Sequence, residues 1–414
     1  MKYYHVSAAM PEKEYGDLFG FGKNSPGQQA QRYNKLLAKG LADLGNETVV
    51  LSVPPLTRGV RFLQKTKLPD ATENGLNYRF FEVLNVPVLK NIFAYFQGKK
   101  IVKELVSDYG AENIRISCDL LSLSASLGVL TAARKAGVKT AGIVTDLPSF
   151  LSGRPSSRLY GKMFSKAAGM CGGIVAVTQQ AAQKLLSDSG NSGKPFTVIE
   201  GIASRDDVSG DVKPPENLDF SGKTVLYAGG LEPEYGLLTL IEAFKEAAVP
   251  GSRLIIFGAG TLSKEIEKIA EIDPFVVYGG VVSNSQVRAA EKKVSLLVNP
   301  RPSGEFTAYS FPSKNIEYMS SGTPVLAYML PGIPSEYRDF MMVPEAEDAT
   351  SLAKTLREAL TAPGDILRKK GEAAALFVKS EKSPAKQASK LVGLFDRLIG
   401  LGVLREDDVV MRFI

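Results

Sequence analysis

The sequence FPSKNIEYMSSGTPV, residues 311–325, decides the fold of the second half of this chain. A helical segment can begin after Pro312, and a Gly-Thr-Pro turn then leads into an apolar strand at Val325. Lys314 and Glu317 are three residues apart, so on a helix they share one face, one turn from its N-terminus. The free amides of a helix N-terminus favour anions. A cation, a carboxylate and these amides together indicate a site for phosphate and ribose.

The rest of the chain alternates short apolar runs with helical segments, which is the pattern of parallel sheets covered on both faces. At 414 residues and 44% hydrophobic content the chain exceeds one ordinary core, so we expect an α/β fold with two domains. The segment from Ser204 to Gly222 is rich in Asp, Pro and Gly and is predicted to be a linker. The predicted strands are Val49–Val53, Ile114–Ser117, Thr140–Thr145, Ile174–Val177, Leu254–Phe257, Phe275–Tyr278, Leu296–Asn299 and Val325–Tyr328.

Cysteine usage and hydropathy favour a cytoplasmic protein. Cys118 and Cys171 have no paired spacing, which suits a reducing compartment better than a disulfide framework. The N-terminus shows no secretory signal pattern. The longest run of small apolar residues, Leu120 to Ala133, is too short to cross a bilayer and is predicted to be a buried helix.

Charge divides unevenly along the chain. Residues 1–200 hold 25 Lys and Arg against 15 Asp and Glu, whereas the remainder holds 25 against 29. A basic first half indicates an anionic partner there, either a phosphorylated acceptor or the inner face of the plasma membrane. We expect no nucleic-acid partner, because no basic-aromatic module or zinc-finger spacing accompanies the charge.

The segment Val86 to Leu105 combines apolar side chains with four lysines. An amphipathic helix of this kind can lie on anionic lipid as a peripheral contact. The alternative is that it packs against the first sheet. Gly98 is expected to weaken a continuous helix here.

Three segments carry a resemblance to a known family: 311–337, 299–301, and 225–244 with the sequence VLYAGGLEPEYGLLTLIEAF. They resemble the donor-binding region of family 4 glycosyltransferases, in particular members that assemble bacterial polysaccharides. The resemblance implies the GT-B fold, two Rossmann-like domains whose parallel sheets face each other across a cleft. Residues 1–204 would then bind the acceptor, residues 205–382 would bind a nucleotide sugar, and a C-terminal helix, 383–414, would pack back on the first domain.

The resemblance also implies an activity and a donor site. It implies a retaining transferase that moves a hexose from a UDP- or GDP-sugar to a glycan or a lipid-linked polysaccharide precursor, with no cofactor. Glu317 would hold the ribose, while Gly258 and Gly260 would approach the base unless they only form a tight strand-to-helix turn. The full set of implied donor-binding positions is Gly229, Gly230, Gly258, Gly260, Arg301, Glu305, Ser310, Phe311, Pro312, Ser313, Lys314 and Glu317.

The leaving diphosphate must be neutralised by a divalent metal or by fixed cations. The chain has no Asp-x-Asp and a single histidine, so we expect a metal-independent site. The commonest family pattern places an arginine and a lysine where this chain has Gly230 and Tyr235. Arg301 and Lys314 are therefore the expected catalytic cations, the alternative for Arg301 being a salt bridge to Glu305 or Asp339.

Two further positions are expected in the first domain. Gly22 and Gly27 belong to a glycine loop that, by resemblance, closes over the donor phosphate and the acceptor. Asp146, at the end of a predicted strand, would orient the acceptor or transfer a proton, the alternative being a helix cap. Relatives often carry a second glutamate where this chain has Tyr309, and Glu305 is the proposed replacement.

Three other functions stay open at this point. The Gly-x-Gly at Gly258 suits a dinucleotide-binding dehydrogenase, although Ser263 stands where the third glycine is expected. A glycosyltransferase-like scaffold would bind the donor without transfer. A nucleotide-sugar epimerase would form product with no acceptor.

Overall fold

A computed structural model describes residues 1–20, 28–56, 59–150, 157–203 and 212–410. The chain forms two compact units, 1–202 with 384–414, and 203–383. The expected loop glycines Gly22 and Gly27 lie outside the described residues, as does much of the expected linker.

Within its described residues the first unit has ten strands, eight of which form one sheet. Its strands are β1 (Lys2–Ser7), β2 (Glu47–Ser52), β3 (Lys65–Thr66), β4 (Ala71–Glu73), β5 (Leu76–Phe80), β6 (Val83–Leu84), β7 (Ile114–Asp119), β8 (Lys139–Val144), β9 (Gly173–Ala176) and β10 (Phe196–Val198). The order is β10-β9-β8-β7-β1-β2-β5-β4, parallel except for β4 against β5, and β3 and β6 form a separate antiparallel ladder. Every residue of β7 and β9 is buried, as expected for central strands of a parallel sheet covered on both faces.

The helices of the first unit are α1 (Glu12–Phe19), α2 (Gln28–Asp43), α3 (Leu89–Tyr109), α4 (Leu123–Ala136), α5 (Ser157–Met170) and α6 (Gln179–Asp188). The expected buried helix is α4. Contrary to expectation, α3 is continuous through Gly98. A Cβ there would lie 2.7 Å from the carbonyl oxygen of Ala125, so glycine at this position allows α3 and α4 to pack backbone to backbone.

The second unit is built on a five-stranded parallel sheet. Its strands are β11 (Lys223–Ala228), β12 (Ser252–Phe257), β13 (Val276–Gly280), β14 (Leu296–Asn299) and β15 (Val325–Ala327). Its helices are α7 (Leu237–Ala247), α8 (Ser263–Ile272), α9 (Asn284–Glu291), α10 (Ser313–Ser320), α11 (Ala349–Thr361) and α12 (Gly364–Glu381). The strand order β13-β12-β11-β14-β15 reverses direction between β11 and β14. Ligands of open α/β sheets bind at the carboxyl ends of the strands at such a point.

The last helix, α13 (Pro384–Val410), returns to the first unit, where it packs on α2. Leu391, Leu394 and Phe395 are buried there with Leu37 and Leu41. Among the described residues, no helix is both long enough and apolar enough to cross a membrane.

Candidate functional site

Helix α10 is fixed to the point where the strand order of the second unit reverses. The Tyr318 hydroxyl accepts a hydrogen bond from the Ala228 amide at 2.8 Å and donates one to the Ala228 carbonyl at 3.2 Å. The Asn299 side-chain amide donates to Asn315 Oδ1 at 2.6 Å. The first contact reaches the end of β11 and the second reaches the end of β14. Because both are buried, they hold α10 against the carboxyl edge of the sheet.

The first turn of α10 presents an ion pair and unused amides. The helix begins at Ser313, and Pro312 precedes it with no side-chain cap among the described residues. Lys314 Nζ lies 3.1 Å from Glu317 Oε2, and each side chain is about one third exposed (30% and 31%). The two residues therefore share a face, as the sequence predicts. The Asn315 amide donates to the Pro312 carbonyl at 2.9 Å, so the amides of Ser313 and Lys314 are the ones available to water or to an anion.

Arg301 follows β14 and stacks on aromatic rings. Its guanidinium carbon lies 5.1 Å from the centre of the Tyr235 ring and 5.4 Å from that of Phe306. Within the described part of the chain Arg301 forms no ion pair, so the alternative of a salt bridge to Glu305 or Asp339 is wrong. Aromatic stacking leaves the donors at the rim of the guanidinium able to bind oxygen atoms.

A close contact between two loops brings Tyr235 to Arg301. Gly236 has φ +75°, and a Cβ there would lie 2.1 Å from the carbonyl oxygen of Pro300. The loop after β11 therefore touches the loop after β14. A Cβ at Gly230 would lie 3.0 Å from the Tyr235 ring. Arg301 thus lies beside Tyr235, which in turn contacts Gly230. Tyr235 and Gly230 are the two positions where the commonest family pattern has its cations.

Gly258 and Gly260 follow β12 and pack against the loop after β11. Gly258 has φ +133°, and a Cβ there would fall 1.8 Å from the Gly229 carbonyl oxygen. A Cβ at Gly260 would fall 2.5 Å from the Leu231 carbonyl oxygen. The Leu231 amide donates to the Ala259 carbonyl at 3.1 Å. The packing of two loops therefore requires both glycines, and their approach to the nucleotide base stays a prediction.

The remaining expected donor positions lie between β14 and α10. Glu305 is exposed and begins a 3₁₀ turn, Glu305–Ala308. Ser310 lies between this turn and the helix. The Phe311 ring lies 5.3 Å from that of Tyr337, so it packs on the partly buried side of the loop.

The first unit has two carboxyl groups at the ends of neighbouring strands. Asp146 follows β8 and accepts a hydrogen bond from the Thr145 hydroxyl at 3.1 Å, and burial raises the pKa of its carboxyl. Asp119 ends β7, is buried, and was missed by sequence reasoning. Burial, with a smaller contribution from Asp146, raises the pKa of Asp119 to about 7. The signal was available, since an aspartate closing a buried strand lies at the sheet edge where ligands bind.

Asp119 belongs to a buried chain of hydrogen bonds that reaches His5. The Asn34 side-chain amide donates to Asp119 Oδ2 at 3.2 Å, and Asn34 Oδ1 lies 2.9 Å from His5 Nε2. His5 Nδ1 lies 2.8 Å from the Ser117 hydroxyl. Burial lowers the pKa of His5 to about 4, so the ring is neutral at pH 7, with Nε2 protonated toward Asn34.

Among the described residues no group of three or more His, Cys, Asp or Glu side chains could hold a metal ion. The expected site residues of the second unit meet at one edge of its sheet. Asp146 and Asp119 lie at the corresponding edge of the first unit.

Comparison with known proteins agrees with this arrangement. Residues 222–362 match the family model described as "Glycosyl transferases group 1". A search of curated protein sequences finds no match to the chain.

Three solved structures illustrate the likeness in fold. Sucrose-phosphate synthase from Thermosynechococcus elongatus is 14% identical, with 97% of this chain and 99% of that chain covered and a TM-score of 0.63. The UDP-forming trehalose-phosphate synthase of Burkholderia xenovorans is 13% identical, with 96% and 99% covered and a TM-score of 0.66. An Escherichia coli trehalose-6-phosphate protein bound with UDP-2-fluoro glucose is 10% identical, with 95% and 99% covered and a TM-score of 0.62. Residues 222–362 of the second unit thus match the group 1 glycosyl transferases, and the chain is a glycosyltransferase with the GT-B fold.

Proposed function

We propose that this chain is a retaining, metal-independent transferase that moves a hexose from a UDP-sugar to a glycan or a lipid-linked polysaccharide precursor. The observation that carries the proposal is the meeting of Arg301, Lys314, Glu317 and the α10 N-terminus at the carboxyl ends of β11 and β14. Cations, a carboxylate and free amides at that point match a nucleoside diphosphate.

Each of these groups has a role in the proposal. Arg301 and the first-turn amides of α10 bind the diphosphate and stabilise the charge that grows on it as the sugar leaves. Lys314 adds a second positive charge, and Glu317 accepts hydrogen bonds from the two ribose hydroxyls. The ion pair between them is then exchanged for contacts with the ligand, which costs little because both side chains are partly exposed.

In the proposed transfer, the bond between the sugar C1 and the phosphate oxygen breaks while the acceptor oxygen bonds to C1 on the same face. The acceptor proton passes to an oxygen of the leaving phosphate, so that nucleoside diphosphate and glycoside are the products. Asp146 orients the acceptor hydroxyl. No metal or cofactor takes part.

The UDP donor is favoured by two relatives of the same fold, one named as UDP-forming and one bound with UDP-2-fluoro glucose. A GDP-sugar is the alternative donor. The basic first half of the chain suits a phosphorylated or lipid-linked acceptor, and we place the enzyme in the cytoplasm, on the inner face of the plasma membrane.

Thermal melting tests the donor class directly. The purified protein is melted in EDTA with UDP, GDP, ADP, CMP or NAD, as wild type and as Glu317→Ala. Ligand at about a hundredfold its dissociation constant adds roughly 2.7 kcal/mol to the free energy of unfolding. We expect UDP to stabilise the wild type and the gain to be lost in Glu317→Ala.

Other results would redirect the proposal. Stabilisation by NAD alone would favour the interpretation as a dehydrogenase. Nucleotide binding without transfer to any glycan acceptor would favour a scaffold subunit, and product formation without an acceptor would favour an epimerase.

A further inference from the structure

Six large apolar side chains of the first unit are exposed in two neighbouring segments. The segments are residues 59–67 and 83–103, which we call the basic apolar edge. Each of the six side chains is between 42% and 68% exposed, and they are Phe62, Leu63, Val88, Leu89, Ile92 and Phe96.

Backbone contacts join the two segments into one surface. Strand β3 pairs with β6, placing Lys65 opposite Leu84. The Leu63 amide donates to the Asn85 carbonyl at 3.0 Å, and the Asn85 side chain donates to the Val60 carbonyl at 2.7 Å. The exposed side chains of the first segment are therefore held beside the start of α3.

The backbone of the edge is strained where it exposes apolar side chains. Arg61, Leu63 and Val88 have φ values of +46°, +58° and +65°. At Val88, a β-branched residue, the Leu89 amide donates to the Pro87 carbonyl at 2.8 Å, which with ψ −51° forms a classic γ-turn. Conformations of this kind are costly and concentrate at functional sites. Here the strain accompanies apolar side chains that stay more than half exposed, Leu63 and Val88.

Helix α3 has a buried C-terminal half and an N-terminal half with an exposed apolar stripe. Ile101, Val102 and Leu105 are buried in the contact with α4. Toward the N-terminus, Leu89, Ile92 and Phe96 follow the i, i+3, i+7 spacing of one helical stripe, and all three are exposed. The alternative that the whole segment packs on the fold therefore holds only for the C-terminal half.

The charge of the edge indicates what covers it. Residues 59–67 and 83–103 contain seven Lys and Arg and no Asp or Glu. Glu82, just outside, pairs with Lys65 at 2.7 Å and with Lys67 at 3.3 Å, and Glu104, on the other side, lies 3.8 Å from Lys100. The Lys99 ammonium lies 5.5 Å from the ring of Tyr95, so this lysine lies along the aromatic surface with its charge near the exposed stripe.

We propose that the basic apolar edge inserts its exposed side chains into the headgroup region of an anionic lipid bilayer. Apolar side chains ringed by lysines complement such a surface, because the chains enter the acyl boundary while the ammonium groups meet lipid phosphates. The proposal supplies the surface that would hold the proposed transferase at a lipid-linked acceptor. Its test uses neither donor nor acceptor, so it fails or succeeds independently of the transferase activity.

The test is co-sedimentation of the full chain with vesicles of phosphatidylcholine alone or mixed with phosphatidylglycerol. One variant combines Leu89→Glu, Ile92→Glu and Phe96→Glu. The matched control combines Ile272→Glu, Val281→Glu and Leu376→Glu, which adds the same charge at three apolar side chains of the second unit that are 67% to 85% exposed. A third variant combines Lys99→Gln, Lys100→Gln and Lys103→Gln.

We expect the wild type to bind the mixed vesicles and the edge variant to bind them about a hundredfold more weakly, with the control close to wild type. The lysine variant should lose more than about tenfold on mixed vesicles and nothing on phosphatidylcholine. Melting temperature and stabilisation by UDP should be the same in all four proteins.

Three results would overturn the proposal. The first is that the wild type does not sediment with mixed vesicles at low salt. The second is that the edge and control variants weaken binding equally, which would indicate general charge repulsion. The third is that no protein binds vesicles and the edge variant abolishes a dimer seen by light scattering, which would make the edge a protein interface.

Discussion

The guanidinium carbon of Arg301 lies 5.1 Å from the centre of the Tyr235 ring, although the two residues leave different strands of the second sheet. The contact arises because the loops after β11 and β14 touch at Gly236 and Pro300. It places an arginine beside positions where the commonest family pattern has its cations. The family pattern has its positive charge in the loop after β11. In this chain Arg301, in the loop after β14, can supply that charge.

Replacing Arg301 with alanine should lower turnover by about a hundredfold or more, by analogy with the loss of an oxyanion donor. Arg301→Lys should recover only part of this, because an ammonium cannot grip two phosphate oxygens in parallel. Arg338→Ala, at an exposed arginine of the same unit, is the control and should keep full activity. Turnover of Arg301→Ala within about threefold of wild type would exclude a role of this size.

The Lys314 and Glu317 pair should contribute to ligand binding and little to stability. Their ion pair is one third exposed on a helix surface, so a double-mutant cycle of Lys314→Met and Glu317→Gln should give about 0.5 kcal/mol or less in unfolding free energy. The same single variants should each weaken UDP binding by about tenfold or more, measured by calorimetry. Glu267→Gln, on the exposed side of α8, is the matched control. Unaltered UDP affinity in Glu317→Gln would remove this carboxylate from the site.

Gly258→Ala should destabilise the second unit by about 3 kcal/mol, because the added Cβ meets backbone at Gly229 and the φ of +133° disfavours any side chain. Gly304→Ala is the control, since a Cβ there meets nothing within 4 Å and its φ of −162° is extended. Its unfolding free energy should stay within about 0.5 kcal/mol of wild type. Chemical denaturation measures both. Equal stability of the two variants would mean that the loops after β11 and β12 are not packed as described.

Stability of the first unit should depend on pH through two buried groups of opposite sign. His5 has a pKa of about 4 when folded against 6.5 in a free side chain. Between these values only the unfolded chain binds the proton, so His5 makes stability rise with pH. Asp119 has a pKa of about 7 when folded against 3.8, so there the folded state holds the proton and stability falls as pH rises.

In wild type these two slopes, each at most about 1.4 kcal/mol per pH unit, oppose each other between about pH 4 and pH 6.5, and Asp146, whose carboxyl pKa is also raised by burial, adds to the slope of Asp119. The double variant Asp119→Asn and Asp146→Asn should therefore expose the His5 term, and stability should climb with pH across this range. His5→Gln should show the opposite slope up to about pH 7. Denaturant titrations at several pH values measure this. A flat profile in the double variant would show that His5 is not held neutral by the fold.

Much of the parallel-sheet pattern was readable from sequence because buried parallel strands carry continuous apolar runs, as β12 and β14 illustrate. The antiparallel pair β4 and β5 was missed, although Asn74-Gly75 joins them with φ values of +51° and +77°. That dipeptide between short strands is a direct hairpin signal. Its strands are too short and polar for periodicity to detect.

By itself the sequence determined the α/β class, the start of α10 at Ser313 and the shared face of Lys314 and Glu317, because these follow from local periodicity and helix geometry. Tertiary structure alone decided that Arg301 stacks on Tyr235 and that Asp119 joins a buried chain to His5. It also decided that Leu89, Ile92 and Phe96 stay exposed while the rest of α3 is buried. Contacts between residues tens of positions apart depend on which strands lie side by side and which helix covers them. No local pattern in the chain encodes that.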